Sequence, residues 1–240
     1  MPDLPPPLPP GERTAGQFIA ETIRAYGSSF WRALPLGIPL AIADQLSVHH
    51  DVQVQALIFW AATPLFVAAY LGACHLVLGR TPTWEAALVA VIIWLPFPAL
   101  RALIIFPAVA WLAFIGLAVP ASLVEGLSFR DALVRGRRLG TADYAHAFGS
   151  LAALVVVVGV AENVLSALLT SQSDADLRIA LGLSDIVLSP LLFVGGALLY
   201  LDQAARVGSS RPTRRRRRDA DLHPPLDADP AGRADAQVEP

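Results

Sequence analysis

The sequence predicts an all-α, polytopic membrane protein with six transmembrane helices plus two interfacial amphipathic helices. Three observations predict it. Hydrophobic residues fill 55% of the 240 positions and charged residues only 16%, well under the roughly 25% of a soluble domain. The apolar residues are gathered into stretches of span length between a Pro-rich start and an Arg-rich end. The arginines fall almost entirely between alternate stretches, the pattern of a chain threaded through a membrane with positive charge inside. A separate soluble domain is excluded, because no long polar segment remains to build one. Three units are expected: a disordered Pro-rich leader over residues 1–12, a six-helix membrane domain over 13–206, and a disordered cytoplasmic tail over 207–240 that starts with a polybasic run.

The leader holds six prolines in twelve residues. It reads as extended polyproline, either a solvated arm or a ligand for an SH3-type groove. It has no basic region followed by a short apolar core and a cleavage site, so the first span is expected to act as its own insertion signal. Residues 14–30 read as an amphipathic helix. Thr14 and Gln17 form a capping box, and Phe18, Ile19, Ile23, Tyr26 and Phe30 recur at helical spacing. Such a helix beside a span is expected in the interface, with Trp31 and Arg32 as anchors.

The first span is expected over Trp31–Ser47, kinked by Pro35 and Pro39. A polar loop at His49, His50 and Asp51 leads to a second span over Val54–Leu78. Residues 84–124 are nearly uncharged and too long for one crossing of a hydrocarbon core about 30 Å thick. Two spans fit, with the break near Arg101 to Phe106 and Pro107 opening the next helix. A break at Pro96-Phe97-Pro98 competes. Residues 128–139 read as the second amphipathic helix, with Ser128 and Asp131 at its start and Arg130, Arg135, Arg137 and Arg138 on its polar face. The fifth span is expected over Tyr144–Leu169 and the sixth over Leu181–Leu201.

Charge tests the threading. All 18 basic residues are arginine. With six spans, 16 of them fall on one side and only Arg101 and Arg178 on the other. Both termini are then expected in the cytoplasm, and the protein in a bacterial inner membrane.

Few residues carry chemistry. Glu162 lies inside the fifth expected span, where an unpaired ionisable group costs at least about 2–3 kcal/mol. Asn163 shares its face, and Asp185 sits on the polar stripe of the sixth span. With Arg101 at the same outer level, and Arg178 near it, these residues form a candidate intramembrane polar cluster. It reads either as a pocket or ion path, or as a network that fixes helix packing. The arginines Arg135, Arg137, Arg138, Arg214, Arg215, Arg216, Arg217 and Arg218 are candidate contacts for anionic lipid headgroups, at about 1 kcal/mol each near the surface. Nucleic-acid binding is the weaker reading of such a run beside a span. His49-His50-Asp51 cannot surround one ion, and the single Cys74 allows no intrachain disulfide or Cys cluster. No metal, cofactor or catalytic residue is therefore expected, and the zinc-protease, nucleophile-elbow and P-loop patterns are absent.

One stretch carries a resemblance. VEGLSFRDALVRGRRLG, followed by two spans ending LLYLDQAAR, resembles the glycerophosphoryl diester phosphodiesterase membrane domain family. Glu125, Ala132, Leu133, Arg135, Leu139, Tyr200, Asp202 and Arg206 fall on its recurrent positions, over residues 107–206. The resemblance implies a stand-alone six-helix membrane module with an interfacial helix before the fifth span. It does not imply the phosphodiesterase activity, for which the chain has neither the length nor the Glu and His residues. The expected function is a non-enzymatic membrane module that assembles with lipids or with a membrane or cytoplasmic partner protein. A small transporter or channel built on Glu162, Asn163 and Asp185 is the alternative, and an intramembrane enzyme a third.

Overall fold

The structure is a computed structural model that describes residues 9–168 and 173–222; for Leu103, Asp174, Ala175 and 209–222 it describes the backbone alone. Most of the expected leader, and the tail from residue 223, thus lie outside the described residues. Every regular element among the described residues is helical: α1 (Ala15–Ser28), α2 (Phe30–Ala33), α3 (Ile38–Ser47), α4 (Val52–Ala61), α5 (Thr63–Leu78), α6 (Trp84–Trp94), α7 (Phe97–Leu103), α8 (Ile105–Ile115), α9 (Ala118–Glu125), α10 (Phe129–Ala142), α11 (Tyr144–Leu168), α12 (Asp174–Leu188) and α13 (Pro190–Leu222), with short 3-10 turns at Pro10–Glu12 and Leu34–Gly37. The all-α, membrane-spanning class follows.

Four stretches are long and apolar enough to cross a membrane: Trp84–Ala102, Ile105–Glu125, Tyr144–Leu168 and Asp176–Gly208. A fifth is the pair α4 and α5, bent by 53°. The bend falls where Pro64 enters the first turn of α5 and cannot donate to the preceding helix. The expected first span does not form one continuous helix. Pro35 opens the 3-10 turn and Pro39 opens α3, so Trp31–Ser47 is broken into three pieces.

Between Trp84–Ala102 and Ile105–Glu125 the chain reverses at Ile104, the extended residue at φ -162° and ψ 153°. Trp111 Nε1 then donates to the Ile93 carbonyl at 2.9 Å across the hairpin. The competing site at Pro96-Phe97-Pro98 is also a discontinuity, since α6 stops at Trp94 and α7 restarts at Phe97. It interrupts the stretch without reversing it. The last stretch runs beyond the expected domain end at residue 206, because α13 continues as helix to Leu222.

Both helices expected at an interface are docked on the bundle. The capping box of Thr14 and Gln17 starts α1. The helix then lies along α13, with Arg13 bonded to Asp202 at its start, and reaches α12 near its end, where the Tyr26 hydroxyl donates to the Val187 carbonyl. The apolar face of α10 is replaced in part by glycine. A Cβ on Gly136 would stand 2.5 Å from Ala118, and one on Gly140 would stand 2.3 Å from the Phe114 carbonyl oxygen. Small residues let the backbones of α10 and α8–α9 meet, as in other close membrane-helix pairs. The core fills with Phe18, Phe59, Phe66, Ile93, Leu117, Leu139, Leu154 and Leu199, all at most 1% exposed.

Candidate functional site

Polar side chains collect at two levels of the bundle. α11 carries His146 near one end and Glu162 sixteen residues on, a separation of about 24 Å at 1.5 Å per residue. The first level is marked by the Arg13–Asp202 pair and is called here the near end; the Glu162 level is the far end.

At the far end, Arg101 closes the last turn of α7. Its Nη2 donates to Asp44 Oδ1 of α3 at 2.9 Å, and its guanidinium carbon lies 3.9 Å from the centre of the Phe59 ring of α4. The ring face attracts the cation. Both partners of the ion pair keep about a third of their side chains exposed. Glu162 on α11 and Asp185 on α12 lie within electrostatic range of Arg101, of Asp44 and of each other. Asp185 is 7% exposed and Glu162 half-buried. Neither carboxylate makes a hydrogen bond to a described residue. The far end therefore places three carboxylates within electrostatic range of one guanidinium, with Asp44 in contact with it.

Arg101, Glu162 and Asp185 thus come together, and Asp44 joins them as a member not singled out in the sequence. Asn163 does not join: it is exposed, and its Nδ2 donates back to the Gly159 carbonyl at 2.7 Å. Arg178 is exposed as well, and its carbonyl accepts from Gln45 Nε2 at 2.8 Å.

At the near end the charges are matched. Arg13 Nη1 donates to Asp202 Oδ1 at 2.9 Å, with the Asp202 side chain fully buried. Arg206 Nη1 donates to Asp143 Oδ2 at 2.9 Å, and its Nη2 reaches the Arg13 carbonyl at 2.7 Å. The same Nη2 stands 3.2 Å from His146 Nε2. A guanidinium only donates, so that imidazole nitrogen accepts and carries no proton. Asp202 Oδ2 lies 4.0 Å from it. Beside this group, Arg135 Nε donates to both oxygens of Glu125 at 2.8 and 2.9 Å, and the Tyr200 hydroxyl donates to Glu125 at 3.1 Å. Three arginines face three carboxylates.

The lipid candidates divide. Arg137 and Arg138 are exposed on α10, with Arg137 5.8 Å from the Phe114 ring. Arg135 is held by Glu125, so its charge is already neutralised within the protein. The side chains of Arg214, Arg215, Arg216, Arg217 and Arg218 lie outside the described part of the structure. Among the described residues, no three His, Cys, Asp or Glu side chains converge as metal ligands.

Between the two ends lies a cavity of 130 Å³, walled by apolar and aromatic side chains of α3, α5 to α8, the link after α8, α11 and α13. At about 24 cal/mol per Å³, leaving it empty would forfeit about 3 kcal/mol of packing. Sequence reading missed it, because a void is a property of several helices at once.

Comparison with known families, with characterised proteins and with solved structures returns no match.

Proposed function

We propose that this chain is a six-crossing, non-enzymatic membrane module of a bacterial inner membrane. Both ends lie in the cytoplasm, and exposed arginines hold anionic lipid headgroups or an acidic partner protein.

The observation that carries the reading is the Arg206–Arg13 bond at the near end. It ties the start of α1 to the C-terminal part of α13, so the chain enters and leaves the bundle at one level. An even number of crossings is then needed, and the five apolar stretches supply an odd one. The sixth is the broken segment from α1 to α3. Three contacts support it: Arg13 with Asp202, Tyr26 with Val187, and Gln45 with the Arg178 carbonyl. As the chain advances from 13 to 45 its partner recedes from 202 to 178, which is the pattern of an antiparallel crossing. The breaks at Pro35 and Pro39 are tolerable in lipid because Leu36, Gly37 and Pro39 are buried against neighbours.

The near end holds Glu125, Arg135, Tyr200, Asp202 and Arg206 in one neighbourhood, the polar residues on which the likeness to the glycerophosphoryl diester phosphodiesterase membrane domain family rests. Glu125 pairs with Arg135 and Tyr200, and Asp202 and Arg206 pair with Arg13 and Asp143, which supports reading them as a joint that fastens α10 and the chain's start to the ends of α11 and α13. The exposed Arg137 and Arg138 then face headgroups at that level.

Reporter fusions after Asp51 and after residue 222 test the threading: the reading requires opposite sides for the two, with the latter cytoplasmic. Native mass spectrometry tests the lipid role. Retained phosphatidylglycerol should fall when Arg137, Arg138 and Arg214 to Arg218 are changed to Gln. The transporter alternative is favoured by one observation, the two carboxylates at the far end that make no hydrogen bond to a described residue. Glu162→Cys in a Cys74→Ala background should then react with a hydrophilic thiol reagent in folded protein; protection sinks that alternative.

A further inference from the structure

At the far end, on the opposite side of the membrane from the arginines of α10, α3 and α12 leave an open groove between them, 690 Å³ in volume. Ile42 and Leu46 of α3 form one rim and Ile179 and Leu183 of α12 the other, all four exposed. Buried Ala41 and half-buried Gly182 lie at its floor. The two ends of the groove differ. At the mouth, Gln45 crosses to the Arg178 carbonyl at 2.8 Å, and Gly182 leaves it room, since a Cβ there would stand 3.1 Å from Gln45 Nε2. The Arg178 side chain lines this mouth and is exposed. It makes no ion pair with a described residue; the nearby Asp176 carboxylate accepts from the Ser173 hydroxyl at 2.6 Å. At the inner end the groove closes, because the backbones meet: a Cβ on Gly37 would stand 2.4 Å from the Ile186 carbonyl oxygen. On each helix the groove runs eight residues, from Leu46 to Ile38 and from Arg178 to Ile186, or about 12 Å at 1.5 Å per residue.

We propose that this groove holds one acyl chain of an anionic phospholipid from the leaflet at the far end, with the lipid phosphate on the Arg178 guanidinium. Length favours a lipid tail over a helix of a partner or of a second copy. The groove covers most of one leaflet, half of a hydrocarbon core about 30 Å thick, and stops where α3 begins at Ile38. A docking helix needs a face that continues through both leaflets. Charge sets the headgroup. A guanidinium presents a planar fork that matches two phosphate oxygens, and Arg101, the other arginine at this level, is taken by Asp44. Asp185 lies seven residues inward of Arg178, about 10 Å along the helix, too deep to take its charge. A water-soluble phosphate has no use for the aliphatic rims. The site depends on the chain lying in a membrane and not on which side the far end faces, so its test is separate from that of the threading.

The test uses the full chain in an uncharged detergent, with a phosphatidylglycerol carrying a diazirine near the end of one acyl chain as probe. Photolabelling should saturate at groove residues, while labelling of the exposed Val157 and Val160 on α11 should rise without saturation. Unlabelled phosphatidylglycerol should displace the probe about fivefold better than diacylglycerol with the same chains, the value of one basic residue near a charged surface. Arg178→Gln should remove that preference and leave diacylglycerol unchanged. Ile42→Trp fills the groove from its exposed rim and should lower groove labelling more than threefold. If that variant does not fold, Leu183→Trp plugs the other rim and should do the same. The proposal is overturned by any of four results: groove labelling no more saturable than that of α11, equal displacement by the two lipids in the native protein, a preference kept in Arg178→Gln, or native labelling in a folded plug variant. Photocrosslinks from the groove to a second copy in place of lipid would overturn it as well.

Discussion

The near and far ends of the bundle are built from the same residue types with opposite bookkeeping of charge. At the near end, Arg13, Arg135 and Arg206 meet Asp202, Glu125 and Asp143, one for one. At the far end, among the described residues, Arg101 pairs with Asp44 and is the one arginine within electrostatic range of Glu162 and Asp185. The near end fastens remote parts of the chain, from residue 13 to residue 206, and each charge there has a structural partner. The far end holds more negative charge than its own packing uses. Matched ionic groups in a bundle act as a joint, whereas unmatched ones in lipid are expensive and call for a water path, a bound cation or a proton. The contrast teaches where to look for structure and where to look for function.

Mutations can break this contrast or sharpen it. The largest effect is expected at the near end. Asp202→Ala leaves the mostly buried Arg13 without its carboxylate, and removing one partner of a buried pair costs about 3–5 kcal/mol. Thermal unfolding in detergent should show that loss. Gly140→Val comes next, because its side chain would meet the Phe114 backbone. Overpacking of this kind costs about 1–3 kcal/mol, and the variant should lose the protease resistance of α10.

At the far end the sign should reverse. Asp185→Asn and Glu162→Gln remove excess like charge and should leave the melting temperature unchanged or raise it, by up to about 1 kcal/mol in stability. If either variant unfolds as readily as Asp202→Ala, the two ends are the same kind of joint and the contrast fails. Asp44→Asn is intermediate. Its pair with Arg101 is partly exposed, so the loss should stay near 1 kcal/mol. The smallest effect on stability is expected for Arg137→Gln and Arg138→Gln, within about 0.5 kcal/mol, yet these should lower retained anionic lipid, which Asp44→Asn should not.

Several features were legible in the chain. The caps at Thr14 and Ser128 are there because a short oxygen side chain beside an apolar period has a local partner to satisfy. The reversal within residues 84–124 was placed to within the correct few residues, because length alone forbids one helix. The common depth of Arg101, Glu162 and Asp185 was legible, but depth alone also pointed to Asn163, which turns away. Asp44 was not, since nothing in its own segment distinguishes a surface carboxylate from one that faces Arg101 of α7. The near-end joint was also hidden. Arg13, Asp143 and His146 read as flanking polar residues until α1, α10, α11 and α13 bring them to one point. The interruption of the first expected span at Pro35 and Pro39 was legible, but its extent was not: the segment breaks into three pieces rather than bending once.

Hydropathy, helical period and capping act over a few residues, so the chain by itself determined that it is helical, that it belongs in a membrane and roughly where its helices start and stop. Pairing of charges and the shape of a void depend on the relative placement of helices far apart in sequence. Only the tertiary structure could decide that six acids and four arginines divide into a balanced end and an unbalanced one, with an apolar cavity between them. Close packing, which brings Gly136 and Gly140 against a neighbouring backbone, is the physical cause that turns one kind of information into the other.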